Sequence, residues 1–262
     1  MEEKIAQLEK ILRENAPLIV AYSGGVDSAC LLAMATRTLG DQVLGVIADS
    51  PSLPRKALEE ALTTAKEFGV QVETIPTFEM ENPDYTVNPP NRCYFCKSEL
   101  FLRLDRLAEE RGFAAIAYGE NADDPAHLRP GSKAAAEFKI LGPLKQAGLT
   151  KADVRELSRK LGLPTADAPA QPCLSSRIPH GTPVTREALD LVERGEEFIR
   201  SMGFRIFRVR YIAGDSPQAR VQIAPAEMKE MADLRPKIES GLLAAGFSAV
   251  EIDPEGYRSV GG

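Results

Sequence analysis

Three groups of residues in this chain have the types and spacing that chemistry needs. Ser23-Gly24-Gly25-Val26-Asp27-Ser28 joins two glycines, which let a backbone approach an anion, to two hydroxyls and a carboxylate. At the start of a helix the free N–H groups of such a string form a phosphate cradle. Asp27 would repel a bare phosphate, so the string suits a pyrophosphate bridged by Mg²⁺ better. No Gly-Lys-Ser/Thr follows, and the spacing is not G-x-G-x-x-G, so kinase-like γ-phosphate transfer and hydride transfer both lose support. Cys93-Tyr94-Phe95-Cys96 brings two thiols together beside Arg92, where helix-end N–H groups and a guanidinium favour thiolate. Cys173 stands alone after 76 intervening residues. Three thiolates could hold an iron–sulfur cluster with one open iron or a zinc with one open position; a redox-active pair plus a buried Cys173 is the competing reading. The third group is Arg208 and Arg210, whose alternation reads by itself as the solvated face of a strand, although forked guanidinium groups also suit phosphate and carboxylate.

The elements that must position these groups alternate between short apolar runs and amphipathic stretches. Leu18 to Tyr22 reads as a strand entering the glycine loop, and Ala29 to Leu39 as the helix leaving it, with Cys30 on its apolar face as core filler. Strands at Val43–Ala48, Val70–Ile75 and Ala114–Tyr118 alternate with helices at Pro54–Phe68 and Phe95–Glu110. The pattern predicts an α/β chain built on a doubly wound parallel sheet, with ligands beyond the carboxyl ends of its strands. Ala48 and Ser50 at the end of one strand, and Gly119 with Glu120 to Asp124 at the end of another, therefore join Ser23, Gly24, Gly25, Asp27 and Ser28 as candidate nucleotide and metal contacts. The proline-bearing stretch Pro76–Arg92 is longer than an ordinary connection, which favours a functional loop. Thr150 is a plausible cap for a helix over Lys151–Leu161.

Five prolines between Pro164 and Pro183 mark a boundary, giving a first domain over 1–170 and a second, smaller α+β domain over 171–262. The second holds helices at Arg186–Met202 and Pro225–Ala245 and strands near Ile206–Tyr211, Arg220–Ile223 and Ala249–Ile252. So small a core gains burial by packing against copies of itself, and a homo-oligomer, up to a hexamer, is the expected assembly. With 262 residues, 44% hydrophobic and 27% charged, the chain reads as an ordinary globular protein with room for two cores. A net charge of −6 argues against wrapping a nucleic-acid backbone. No apolar run approaches a membrane span and the first residues lack a signal layout, so a cytoplasmic protein is expected, without structural disulfides.

Ser-Gly-Gly-Val-Asp-Ser resembles the pyrophosphatase loop of enzymes that split ATP into AMP and pyrophosphate. Joined to Cys173-Leu174-Ser175-Ser176-Arg177-Ile178-Pro179-His180-Gly181-Thr182 and to Phe207-Arg208-Val209-Arg210-Tyr211, it resembles the LarE family nearly end to end. These are PP-loop, adenine nucleotide alpha hydrolase-like sulfur transferases that build the nickel-pincer cofactor. The resemblance implies ATP and Mg²⁺ as cofactors and a pyridinium dicarboxylate mononucleotide as substrate, with a separate sulfide or sulfur donor. It also implies that Ser23, Gly24, Gly25, Asp27 and Ser28 hold pyrophosphate, that Ser176, Arg177, Arg208 and Arg210 gather the phosphorylated substrate, and that Glu196 belongs to a metal site. Cys173 matches the family's sulfur-carrying cysteine, and with Asp27 and Arg210 makes up the expected catalytic set. Members with one cysteine give up its own sulfur; relatives with three look like 4Fe–4S proteins carrying an extra sulfide, the mode expected here with Cys93, Cys96 and Cys173 as ligands.

The expected reaction is transfer of AMP to a carboxylate, whose own leaving group would be oxide, followed by sulfur attack and release of AMP. A tRNA thiolation enzyme, which pairs the same loop with a three-cysteine cluster, is the nearest rival, disfavoured by the acidic balance. A nonenzymatic nucleotide-binding or redox module is the third reading, and steady turnover would exclude it.

Overall fold

The computed structural model describes residues 1–125 and 130–257. In chain order the elements are α1 (Glu2–Glu14), β1 (Leu18–Tyr22), α2 (Val26–Leu39), β2 (Val43–Asp49), α3 (Arg55–Glu67), β3 (Val72–Pro76), α4 (Pro83–Thr86), α5 (Arg92–Arg111), β4 (Ala115–Tyr118), α6 (Pro130–Glu137), α7 (Pro143–Gln146), α8 (Lys151–Lys160), α9 (Arg186–Ser201), β5 (Phe207–Ile212), β6 (Gln218–Ile223), α10 (Met228–Ala245) and β7 (Ala249–Ile252). They form two compact units, Met1–Tyr85 with Asn91–Gln171, and Thr86–Pro90 with Pro172–Gly262. The short segment Thr86–Pro90 thus belongs with the second unit, although it interrupts the first in sequence.

The first unit is built on a parallel sheet of order β3-β2-β1-β4. Its central strand is apolar at every position because both faces are covered. Leu18, Val20 and Tyr22 point into a core with α1, α2, α3 and α8, while Ile19 and Ala21 point into the opposite core with α5 and α6. Strand order reverses at β1, since β2 lies on one side of it and β4 on the other. That reversal opens a crevice at the carboxyl edge. The register sets Tyr22 beside Ile47 and Ala21 beside Tyr118, so Ser23 and Gly119 leave the sheet at the edge where Ala48 lies in β2.

The second unit packs α9 and α10 on a mixed sheet in which β6 runs antiparallel to β5 and parallel to β7. Phe207 and Val209 alternate into that core, which turns Arg208 and Arg210 to the other face of β5. Gly241 permits a close crossing of the helices, because a Cβ there would come within 2.0 Å of the Phe198 ring. Asn88, fully buried and at φ 57°, ties the inserted segment down. Its amide donates to the carbonyls of Pro179 and Thr182 at 2.8 Å each and of Ile178 at 3.3 Å.

Each strand lies within two residues of the bounds expected from the sequence, whereas α1, α6, α7 and the single turn of α4 were not expected. No helix among the described residues is long and apolar enough to cross a membrane.

Candidate functional site

In the first unit the glycine loop closes on itself. The Ser28 hydroxyl receives the Ser23 N–H at 3.1 Å, lies 3.1 Å from the Ser23 hydroxyl and donates to the Gly25 carbonyl at 3.0 Å. These bonds curl the string around the first turn of α2, which leaves that turn's backbone N–H groups as the anion-facing surface. Gly24 has φ +74°, and a Cβ on it would meet the Ala61 Cβ at 2.7 Å. A side chain at Gly25 would meet little beyond the Ser23 hydroxyl, so at Gly25 the glycine keeps the cradle open rather than relieving a clash. At Gly119 a Cβ would stand 2.6 Å from the Ser28 nitrogen and 2.8 Å from the Asp27 carbonyl carbon. The end of β4 therefore presses on the loop's own backbone, and only glycine allows that approach.

Asp27 is held from two distant points. Lys151 Nζ lies 2.5 Å from Asp27 Oδ2, and Asn121 Nδ2 donates to Oδ1 at 3.3 Å. Lys151 is the first residue of α8, whose Thr150 and Asp153 form a reciprocal capping box, and its N–H donates to Asp123 Oδ2 at 2.8 Å. Lys151 carries no signal of this in the sequence beyond its place after a capping threonine, 124 positions from its partner. Glu120 sits in the same crevice. Burial pushes its carboxyl up, but hydrogen bonds from Tyr118, Ser132 and Lys145 outweigh that and hold it below its ordinary value. Ser50 is buried with its hydroxyl donated to Glu79 and accepting the Ser52 N–H at 2.9 Å. Ala48 lies within β2, paired with Ile75. Cys30 is in the core, where burial pushes its thiol up to about 11 and keeps it protonated at neutral pH.

Cys93, exposed, and Cys96, half-buried, lie one turn apart at the start of α5 in the first unit; Cys173 belongs to the second. Among the described residues no group of three or more His, Cys, Asp or Glu side chains gathers as a metal cage.

In the second unit the structure brings Ser176, Arg177, Glu196, Arg208 and Arg210 together around the turn that follows Cys173. Arg177 is buried and meets Glu196 through a fork, Nε to Oε1 at 2.8 Å and Nη2 to Oε2 at 2.9 Å. Glu196, expected at a metal site, thus has both carboxylate oxygens engaged by a guanidinium. Arg210 donates to the Ser176 carbonyl at 2.8 Å and to Gln222 at 2.9 Å. Arg208 lies over the Tyr257 ring, 4.6 Å from its centre, and reaches the Tyr257 hydroxyl at 3.2 Å. Burial, and then the nearby Arg177 charge, lowers the pKa of both Arg208 and Arg210. Arginine stays charged even so, and three guanidinium groups around one carboxylate leave the cluster positive.

Comparison with known proteins agrees with the loop and extends beyond it. The NAD synthase family matches residues 2–85, which include Ser23 to Ser28. An uncharacterized protein of Synechocystis is 40% identical over 99% of this chain and 96% of its own length. The pyridinium-3,5-bisthiocarboxylic acid mononucleotide synthase of Lactiplantibacillus plantarum is 32% identical over 98% of this chain and 92% of its own length. A component of the glutamine-hydrolyzing GMP synthase of Methanococcus maripaludis is 27% identical over 66% of this chain and 58% of its own length. A glycine loop inside the stretch that matches the NAD synthase family, carried on a chain that matches the pyridinium-3,5-bisthiocarboxylic acid mononucleotide synthase almost throughout, identifies this protein as a member of the LarE family of PP-loop, ATP-dependent sulfurtransferases.

Proposed function

We propose that the chain adenylates a carboxylate of pyridinium-3,5-biscarboxylic acid mononucleotide with ATP and replaces one carboxylate oxygen with sulfur. The observation that carries this reading is the Ser23–Ser28 loop, with its hydroxyls turned inward, its helix-end N–H groups outward and Asp27 already facing a cation. In this scheme the carboxylate oxygen attacks the α-phosphorus of ATP and pyrophosphate leaves into the loop. A sulfur nucleophile then attacks the acyl carbon, and AMP departs with the original oxygen, leaving a thiocarboxylate.

Ser23, Gly24, Gly25 and Ser28 would hold the departing pyrophosphate, and Ala48, Ser50 and Gly119 would line the adenosine side. The Asp27 carboxylate accommodates a full positive charge in the Lys151 ammonium, which fits Mg²⁺ at the same oxygen; bound there, the metal would neutralise the leaving group. Arg208 and Arg210 would take the substrate's anionic groups. Cys93, Cys96 and Cys173 are donors of the right kind for a 4Fe–4S cluster with an open iron, which would supply sulfide when bound. A separate sulfide donor and self-association up to a hexamer belong to the same reading, supported by the small core of the second unit.

Incubation with ATP, Mg²⁺, sulfide and the mononucleotide should give AMP and pyrophosphate in step with thiocarboxylate. ADP and phosphate as the nucleotide products would overturn the scheme.

A further inference from the structure

The Arg177–Glu196 pair is buried more deeply than a substrate contact needs to be. The side chains are 4% and 5% exposed. Two charges taken this far from water lose most of their hydration, which destabilises the fold unless geometry and hydrogen bonding compensate fully. Here the compensation is complete at the carboxylate, because Glu196 Oε1 also accepts the Val209 N–H from β5 at 3.2 Å. An ion pair serving only the core would end there. Arg177 instead turns its third nitrogen, Nη1, to the Pro172 carbonyl at 2.6 Å, the Cys173 carbonyl at 3.0 Å and the Ser176 hydroxyl at 3.0 Å. The Cys173 carbonyl receives a second donor, the Ser176 N–H, at 3.0 Å. A continuous chain of charge-assisted bonds thus runs from the backbone of β5 through Glu196 and Arg177 to the peptide groups on both sides of the Cys173 α-carbon.

We infer that Glu196 and Arg177 are positioning residues that fix the backbone at Cys173, and that binding of the substrate's anionic groups falls to Arg208 and Arg210. The inference rests on the reading that Cys173 takes part in sulfur delivery. An anion seeking Arg177 would have to displace a forked carboxylate and two carbonyls, and would leave Glu196 buried without its counter-charge. Arg210 poses no such barrier, since its hydrogen bonds go to the neutral Gln222 amide and Ser176 carbonyl, both of which an anion can replace. The assignment removes Arg177 from the substrate contacts and Glu196 from the metal ligands.

The test compares R177K, E196Q and R210A in the full chain. For R177K and E196Q, kcat for sulfur transfer should fall about tenfold or more, with KM for the mononucleotide within about twofold of the parent, as expected when a reacting group is misplaced rather than a ligand lost. R210A should instead raise KM about tenfold. A second readout needs no turnover: the rate at which iodoacetamide alkylates Cys173 in the metal-free chain, read by peptide mapping with Cys93 as internal reference. That rate should change about threefold or more in R177K and E196Q while Cys93 stays constant. If the parent transfers no sulfur yet the alkylation rate responds, the functional reading fails and the positioning role stands. If R177K raises KM with kcat and Cys173 alkylation unchanged, Arg177 is a substrate ligand and the inference is wrong. Should the single variants unfold, the apolar pair R177M/E196L restores burial without charge. That variant should fold and still show the altered Cys173 rate; recovery of parental kcat in it would also overturn the inference.

Discussion

The loop at Ser23–Ser28 and the turn at Cys173 hold their charged groups by different means. The loop is contiguous: its shape comes from the Ser23 and Ser28 hydroxyls and from two glycines, and what it offers a ligand is backbone. The turn is assembled: Arg177 lies in it, Glu196 and Arg210 reach it from α9 and β5, and it is fixed by side chains and a buried ion pair. A contiguous backbone cradle tolerates side-chain change outside its few special positions but not a change in main-chain geometry. An assembled turn has the opposite sensitivity, depending on each distant partner and little on local backbone freedom.

Asp27→Asn gives the largest effect expected from this contrast. It keeps the size of the side chain and removes the charge that faces Lys151, so AMP formation should fall about 10²–10³-fold with melting temperature little changed. Activity within twofold of the parent would mean that the loop works through backbone alone. Asn88→Ala probes the assembled region. It deletes the amide's hydrogen bonds to the carbonyls of Ile178, Pro179 and Thr182 and leaves alanine in a left-handed conformation, a loss of about 3 kcal/mol in urea unfolding. An unchanged urea midpoint would show that the segment Thr86–Pro90 does not hold the Ile178–Thr182 stretch.

Gly119→Ala returns to the backbone cradle and should cost about 2 kcal/mol, because the clash is with main-chain atoms of Asp27 and Ser28 that no rotamer change can move. It should also weaken ATP binding, whereas Gly148→Ala, strained by a φ of +69° but with open space around it, should leave ATP affinity alone. Equal effects on ATP affinity would remove Gly119 from the account of the loop. The smallest effect concerns the helix that carries Lys151. The Asp153 carboxyl is drawn down from its ordinary 3.8 to about 2 by Lys4 first and then by its Thr150 capping bonds. A carboxyl depressed on folding stabilises above its unfolded value and loses that contribution as pH falls through its folded one. Asp153→Asn should therefore cost about 1 kcal/mol at neutral pH, mostly as a lost cap because Lys4 is partly exposed. The difference should shrink from about pH 4 downward and vanish near pH 2. A difference independent of pH over that window would contradict the charge assignment.

What could be read from the sequence divides along the same line. The loop was legible because motif, strand and helix follow one another, and parallel register then forces Ser23, Ala48 and Gly119 to one edge. Lys151 was not, since nothing local ties it to Asp27. The helix over Glu2–Glu14 does carry a signal, apolar Ile5, Leu8, Ile11 and Leu12 at helical spacing, ahead of the first expected strand. Arg208 and Arg210 could be placed on one face of β5 by alternation, but alternation cannot tell a solvated face from an anion site. The Arg177–Glu196 fork was hidden altogether, because family likeness offered each residue a ligand-binding role and only the fold reveals that they bind each other. Asn88 lies in a proline-bearing loop, where a polar side chain by itself signals only ordinary turn chemistry.

Adenylation by the loop is the claim on which the rest stands, and isotope transfer tests it most directly. The mononucleotide labelled with ¹⁸O in its carboxylates is incubated with ATP, Mg²⁺, sulfide and the protein, and the nucleotide products are read by ³¹P NMR. One ¹⁸O should appear in the phosphate of AMP, with none in pyrophosphate; label in free phosphate, or AMP carrying only solvent oxygen, would contradict the account.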